Sequence, residues 1–221
     1  MTEYTAKRAR TRGQLLAAGQ ELLPGAVRRG LEHALGPGAV TQRAEVSRQT
    51  WYRYWRADDS EYLDELLRVA LDTVVLLFEP RLAALAAEAE AGPDGVRRFA
   101  RAHFALATRR RVAVAHLVGV VLALEDRVLE AEDGIRPTSA PEIVRDYQAR
   151  VHEVLANAYG AILRRWGRRP RPGTDLDRTI DLIAALADGF ALRHIADPDG
   201  TTEDQFADAV VGVLEAVTND R

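Results

Sequence analysis

AVTQRAEVSRQTWYRYW, residues Ala39–Trp55, brings a helix, a sharp turn and a second helix together within so few residues that it reads as a helix-turn-helix. Val40 and Ala44 share one face of a first short helix, and Val46 fills the turn. Ser47 stands where its oxygen can accept the free amide hydrogens that open the second helix. On that second helix Trp51 and Trp55 are four apart and share an inward face, which leaves Arg48, Gln49, Thr50, Tyr52, Arg53 and Tyr54 outward. Arg can hold guanine through two hydrogen bonds and Gln can hold adenine likewise, while Thr and Tyr hydroxyls suit phosphate oxygens. With Thr41 and Ser47 these six residues form the candidate DNA-binding set.

Charge supports that reading. The chain has 221 residues and a formal net charge of -3. Through Arg56 it carries ten basic residues against four acidic ones, so a basic head precedes an acidic body. Such asymmetry is the electrostatic footprint of nucleic-acid binding at one end of a molecule. There is no cysteine, which excludes disulfides, thiolate catalysis and Cys-ligated zinc. No apolar run approaches the roughly 20 residues of a membrane span, and MTEYTAKRARTR lacks the apolar stretch of a secretory signal. A cytoplasmic location without membrane association is expected.

Outward from the central stretch the periodicity is helical throughout. Met1–Arg10 is polar and unpatterned and reads as an arm whose Lys7, Arg8, Arg10 and Arg12 can reach a phosphate backbone. A first helix starts near Thr11, carries Leu15, Leu16, Leu22 and Leu23, and stops at Pro24-Gly25. Leu31 and Leu35 in the following link have helical spacing, so an extra turn of helix is expected there. Pro37 suits the first turn of the next helix. A helix from about Ser60 joins head to body and is kinked or ended at Pro80, with RLAALAAEAE helical beyond it. An amphipathic helix then carries Val96, Phe99, Ala100, His103, Phe104 and Ala107. Val112–Leu124 is apolar nearly all round, which predicts a helix buried in its domain. Gly134–Pro141 reads as a loop, Glu142–Trp166 as a long helix, and two helices follow, marked by Leu176–His194 and Phe206–Val217. No segment alternates with period two long enough to demand a sheet, so the fold class is all-α.

At the Ala39–Trp55 stretch the chain resembles the TetR family of one-component regulators. Ala44, Val46, Ser47, Thr50, Tyr52 and Tyr54 match that family's reading unit, with Trp51 and Trp55 in its apolar slots. LLAAGQELL, Leu15–Leu23, is similar to its first helix, and the stretch from Gly189 to Pro198 is similar to its penultimate one. The family's turn usually has Gly where this chain has Glu45, and a non-glycine residue in a left-handed turn costs on the order of 1 kcal/mol. Asp58 and Asp59 replace a Lys common in relatives; they either cap the next helix or repel phosphate. The resemblance implies a three-helix DNA-binding domain over 1–57 and a helical effector-binding and dimerisation domain over 58–221. It further implies a homodimer formed through residues 176–218 on a palindromic double-stranded operator, acting as a repressor released by a small-molecule effector.

No catalytic elbow, Gly-rich phosphate loop, dinucleotide fingerprint or Glu-x-x-His pair occurs, so neither enzyme activity nor a cofactor or metal is expected. Phe99, His103, Phe104, His116, Tyr147 and His152 form the candidate ligand-binding set. Histidines and a tyrosine on several central helices would supply the few polar groups that orient a mostly apolar ligand. The alternative for each histidine is a core residue satisfied by its neighbours. The alternative for the whole chain is a ligand-binding or interaction module of the same fold without specific operator binding.

Overall fold

The computed structural model describes residues 15, 26–55, 59–133 and 139–220. The N-terminal arm, the first helix over Leu15–Leu23 apart from Leu15, Asp58, and Gly134–Thr138 of the expected loop lie outside the described residues. Within them the chain forms nine helices: α1 (Ala26–Ala34), α2 (Pro37–Arg43), α3 (Arg48–Tyr54), α4 (Asp59–Glu88), α5 (Pro93–Ala107), α6 (Arg110–Asp133), α7 (Ala140–Trp166), α8 (Leu176–Ala196) and α9 (Glu203–Val217). The all-α expectation holds, with one addition. Three-residue strands β1 (Arg168–Pro170) and β2 (Thr218–Asp220) pair antiparallel, Arg168 opposite Asp220. Neither alternates in polarity, which is why periodicity missed them.

Two compact units arise from interleaved parts of the chain. One combines residues 1–68 with 118–144; the other combines 69–117 with 145–221. In the first, the Pro24–Gly38 link holds α1, a nine-residue helix. Its start is capped from far along the chain: the Glu125 carboxylate on α6 accepts from the Val27 and Arg28 amides at 3.1 Å each. Arg28 itself is buried, and its Nη2 meets Asp126 Oδ1 at 2.7 Å. The sequence counts Arg28 within the basic head, but tertiary structure spends it on this internal ion pair.

The second unit packs α5 most closely on α9. Val96, Phe99, Ala100 and Phe104 on one side meet Phe206, Val210 and Leu214 on the other, all buried. Ion pairs of Arg97 with Asp208 and Arg101 with Asp204 flank this contact, but exposed pairs contribute under about 1 kcal/mol each. Caps set the ends of the last helices. Asp175 accepts from the Asp177 amide at the start of α8, and Thr202 and Gln205 form a reciprocal capping box on α9. Arg171 donates to the carbonyls of Glu215 and Thr218, satisfying acceptors at the end of α9. Arg165 does the same for Ala86 and Ala89 at the end of α4.

One expectation is narrowed and one needs correction. Of the two outcomes expected at Pro80, an end is excluded: α4 continues through it to Glu88, helical beyond the proline as expected. The apolar run on α6 is not buried all round: Val112, Ala113 and Leu122 are buried, whereas Val114, Val120 and Leu124 are exposed. Apolar composition sets how much surface a helix would gain by burying, and only the neighbours decide how much it does bury.

Candidate functional site

The helix-turn-helix stretch forms as two seven-residue helices. Pro37 opens α2, and the amide of Ala44 returns to Val40 to close it. Glu45 then adopts φ 57°, the left-handed conformation expected to favour glycine. Glu45→Gly should therefore stabilise the N-terminal unit by about 1 kcal/mol. Urea unfolding checks this, and a neutral or destabilising result would mean that the Glu45 side chain makes compensating contacts. Ser47 has extended backbone and its hydroxyl accepts from the Thr50 amide at 3.3 Å, so the expected cap is present.

On α3 the inward and outward faces separate as the spacing requires. Trp51 is buried, its ring centroid 4.8 Å from Trp55 and 4.2 Å from Tyr62 of α4. Trp55 lies just past the helix with an extended backbone, and its indole Nε1 donates to Glu65 at 2.9 Å. Four aromatic and acidic residues thus fasten α3 to the start of α4. Burial and the neighbouring Glu65 raise the Tyr62 phenol pKa, keeping that ring neutral. Arg48, Gln49, Tyr52, Arg53 and Tyr54 are exposed, and Thr50 is half-buried. Thr41 is placed differently: it is buried, and its hydroxyl donates to the Pro37 carbonyl. Val46 is 47% exposed, so the turn is closed by backbone hydrogen bonds more than by that side chain.

The second unit contains a cavity of about 270 Å³, walled by α4 through α8. His103, His116, Tyr147 and His152 all line it. Phe99 and Phe104 do not; Phe99 packs edge-on against Tyr159 and Phe104 stacks on Phe206, both inside the core. His103 shares Tyr159 with Phe99 and Phe206 with Phe104, so all three pack in the core and of them His103 alone also borders the cavity.

The four polar residues differ in state. His103 is buried, with Nδ1 3.3 Å from the Tyr159 hydroxyl, and burial pushes its pKa down to about 4. It is therefore neutral at physiological pH. Burial, helped by Asp188, holds the Tyr147 hydroxyl protonated well above its ordinary range. His116 faces Asp188 of α8, with Nε2 3.5 Å from the carboxylate. His152 is tightly held at 2.7 Å from Asp181, also on α8. Asp181 and Asp188 line the cavity with Ala184, Ala191 and Ile195, a stripe with helical spacing that the sequence reading passed over. The signal was an acid inside the otherwise apolar run from Ile183 to Ala191.

His103 also sets a pH dependence. Its folded pKa lies below the ordinary 6.5, so the unfolded chain takes up the proton first. Stability is full above about 6.5 and falls as pH drops toward 4, by up to about 3 kcal/mol at the acid end. Urea midpoints across that range should show the slope, and His103→Gln should remove most of it; an unchanged slope would mean that other groups titrate.

Residues 135–218, covering α7, α8 and α9, match the family described as BetI-type transcriptional repressor, C-terminal. That segment is similar to the C-terminal region of a TetR-type repressor. No curated protein matches the chain, and no solved structure does. The match supports a transcriptional regulator. Its matched segment includes Tyr147 and His152 on α7 and both acids of α8, whereas His103 and His116 precede it. Among the described residues no group of three or more His, Asp or Glu is placed to hold a metal ion, and no helix is long and apolar enough to cross a membrane.

Proposed function

We propose that the chain is a ligand-responsive repressor that binds a palindromic double-stranded operator as a homodimer and is released by a small, mostly apolar effector. The observation that carries this reading is α3: its Trp51 face is buried while Arg48, Gln49, Tyr52, Arg53 and Tyr54 face solvent. Arg48 and Gln49 read base edges, and Tyr52, Arg53 and Tyr54 engage the backbone. Two such helices related by a two-fold axis enter successive major grooves about 34 Å apart. The half-exposed Leu182, Leu192 and Ile195 of α8 support dimerisation through residues 176–218.

The effector occupies the cavity of the second unit. It acts through α4, one continuous helix whose two ends belong to the two units. Release requires that the effector bind one spacing of the heads more tightly than the other; equal affinity for both would shift nothing.

Repeated selection from a randomised duplex pool tests the reading. Enrichment of a two-fold symmetric site is expected, with affinity falling steeply as salt rises. A flat salt response without enrichment would overturn it in favour of a module that does not read DNA. On the selected site, Arg48→Ala should cost about 1–3 kcal/mol at its cognate base and relax preference there, whereas Tyr52→Phe should weaken all sequences alike. Band-shift titrations on cognate and random duplexes separate the two, and equal effects of both on both duplexes would refute the roles.

A further inference from the structure

The cavity in the second unit carries more charge than a purely apolar effector requires. Its walls include Phe78, Val112, Leu117 and Leu155 around a space of about 270 Å³. Two carboxylates, Asp181 and Asp188, face it from α8. They are not equivalent. Asp181 is engaged by His152 at 2.7 Å, with Asp177 a further 3.8 Å contact of the same imidazole. Asp188 has only the His116 ring at 3.5 Å, beyond the usual length of a charge-assisted hydrogen bond, and accepts no hydrogen bond from the described residues.

The surrounding groups decide which charge would be welcome there. On α5, His103 is neutral through the physiological range, and on α7, Tyr147 keeps its proton. The Tyr147 ring lies 5.8 Å from that of His116, so both flank the same carboxylate. Burial raises the Asp188 carboxyl pKa and His116 partly offsets this, which marks a carboxylate short of positive partners. Among the lining residues the groups that can carry positive charge are the imidazoles of His116 and His152, with no Lys or Arg. An anionic ligand would have to share the cavity with two acids, whereas a cation is attracted by both.

We infer that the effector is a protonated amine with a short apolar tail, its ammonium donating to Asp188 and its tail lying among the apolar walls. This rests on the effector cavity of the proposed function and names the ligand's chemical class.

Calorimetric titration of the full chain with n-octylamine, 1-octanol and octanoate, matched in chain length, tests this at neutral pH. The amine is expected to bind about tenfold tighter than the alcohol, with octanoate weakest. Asp188→Asn should erase the amine preference, with its circular dichroism melt as the control for folding. His116→Gln should keep the preference.

Octanoate binding as tightly as octylamine would overturn the assignment, as would an Asp188→Asn variant with unchanged selectivity. Absence of binding by all three probes would remove the cavity as an effector site. Operator selection on the same protein is independent of each of these outcomes. A failed amine preference with an enriched operator leaves the regulator reading intact, and the converse leaves the cavity assignment intact.

Discussion

Asp126→Ala is expected to destabilise the N-terminal unit by about 3–5 kcal/mol, the cost of breaking a buried ion pair from one side. Asp126 and Arg28 have side chains 2% and 8% exposed and meet at 2.7 Å, so little water is at hand to replace the lost carboxylate. The partner effect should differ sharply from the single one. Arg28→Met with Asp126→Leu removes both charges and keeps apolar volume, so most of the loss should be recovered. A double-mutant cycle by urea unfolding measures the coupling, with tryptophan fluorescence reporting on the unit that holds Trp51 and Trp55. A single-variant cost below about 1 kcal/mol would show that the pair contributes no more than a surface one. Because Glu125 next to it caps α1, the expected loss includes α1 coming away from α6.

Trp51→Ala should be as costly, again about 3–5 kcal/mol, because it empties the centre of the aromatic cluster. Trp51 is 3% exposed and touches both Trp55 and Tyr62, so no neighbour can fill the space without leaving its own place. α3 has only seven residues, too short to persist on its own propensity, and this burial is what holds it. Operator binding should be lost together with stability. Trp51→Phe keeps most of the apolar area and should retain binding. Circular dichroism melts and band-shift titrations of the two variants check the pair, and an alanine variant that still binds the operator at wild-type affinity would show that α3 is seated by something else.

The candidate site was partly legible before any fold was known. α3 follows from Ser47 as cap and the four-residue spacing of the two tryptophans, and both are local features. The strain at Glu45 is likewise local, since a tight turn between two helices demands a left-handed residue wherever the chain supplies it. His103, His116, Tyr147 and His152 could be picked out because a polar residue interrupts an apolar helical face. Their common cavity could not, because it depends on which face of α5, α6, α7 and α8 turns toward the others. Phe99 and Phe104 show the limit: next to His103 in the list of apolar positions, they belong to the core against Tyr159 and Phe206.

What the sequence by itself determined is the helical class, α3 with its Ser47 cap, and the presence of α7, α8 and α9, since a cap and period-3.6 burial act within a few residues of one another. What only the tertiary structure decided is the fate of individual charges. Arg28 and Asp126 stand 98 residues apart and nothing near either of them announces a partner, yet one is spent holding α1 to α6. Asp188 looks like any surface acid on a small-residue helix until α6 brings His116 to face it across the cavity. A charge states its need for a partner in its own chemistry, but distance and dielectric decide which partner answers, and both are properties of the folded chain.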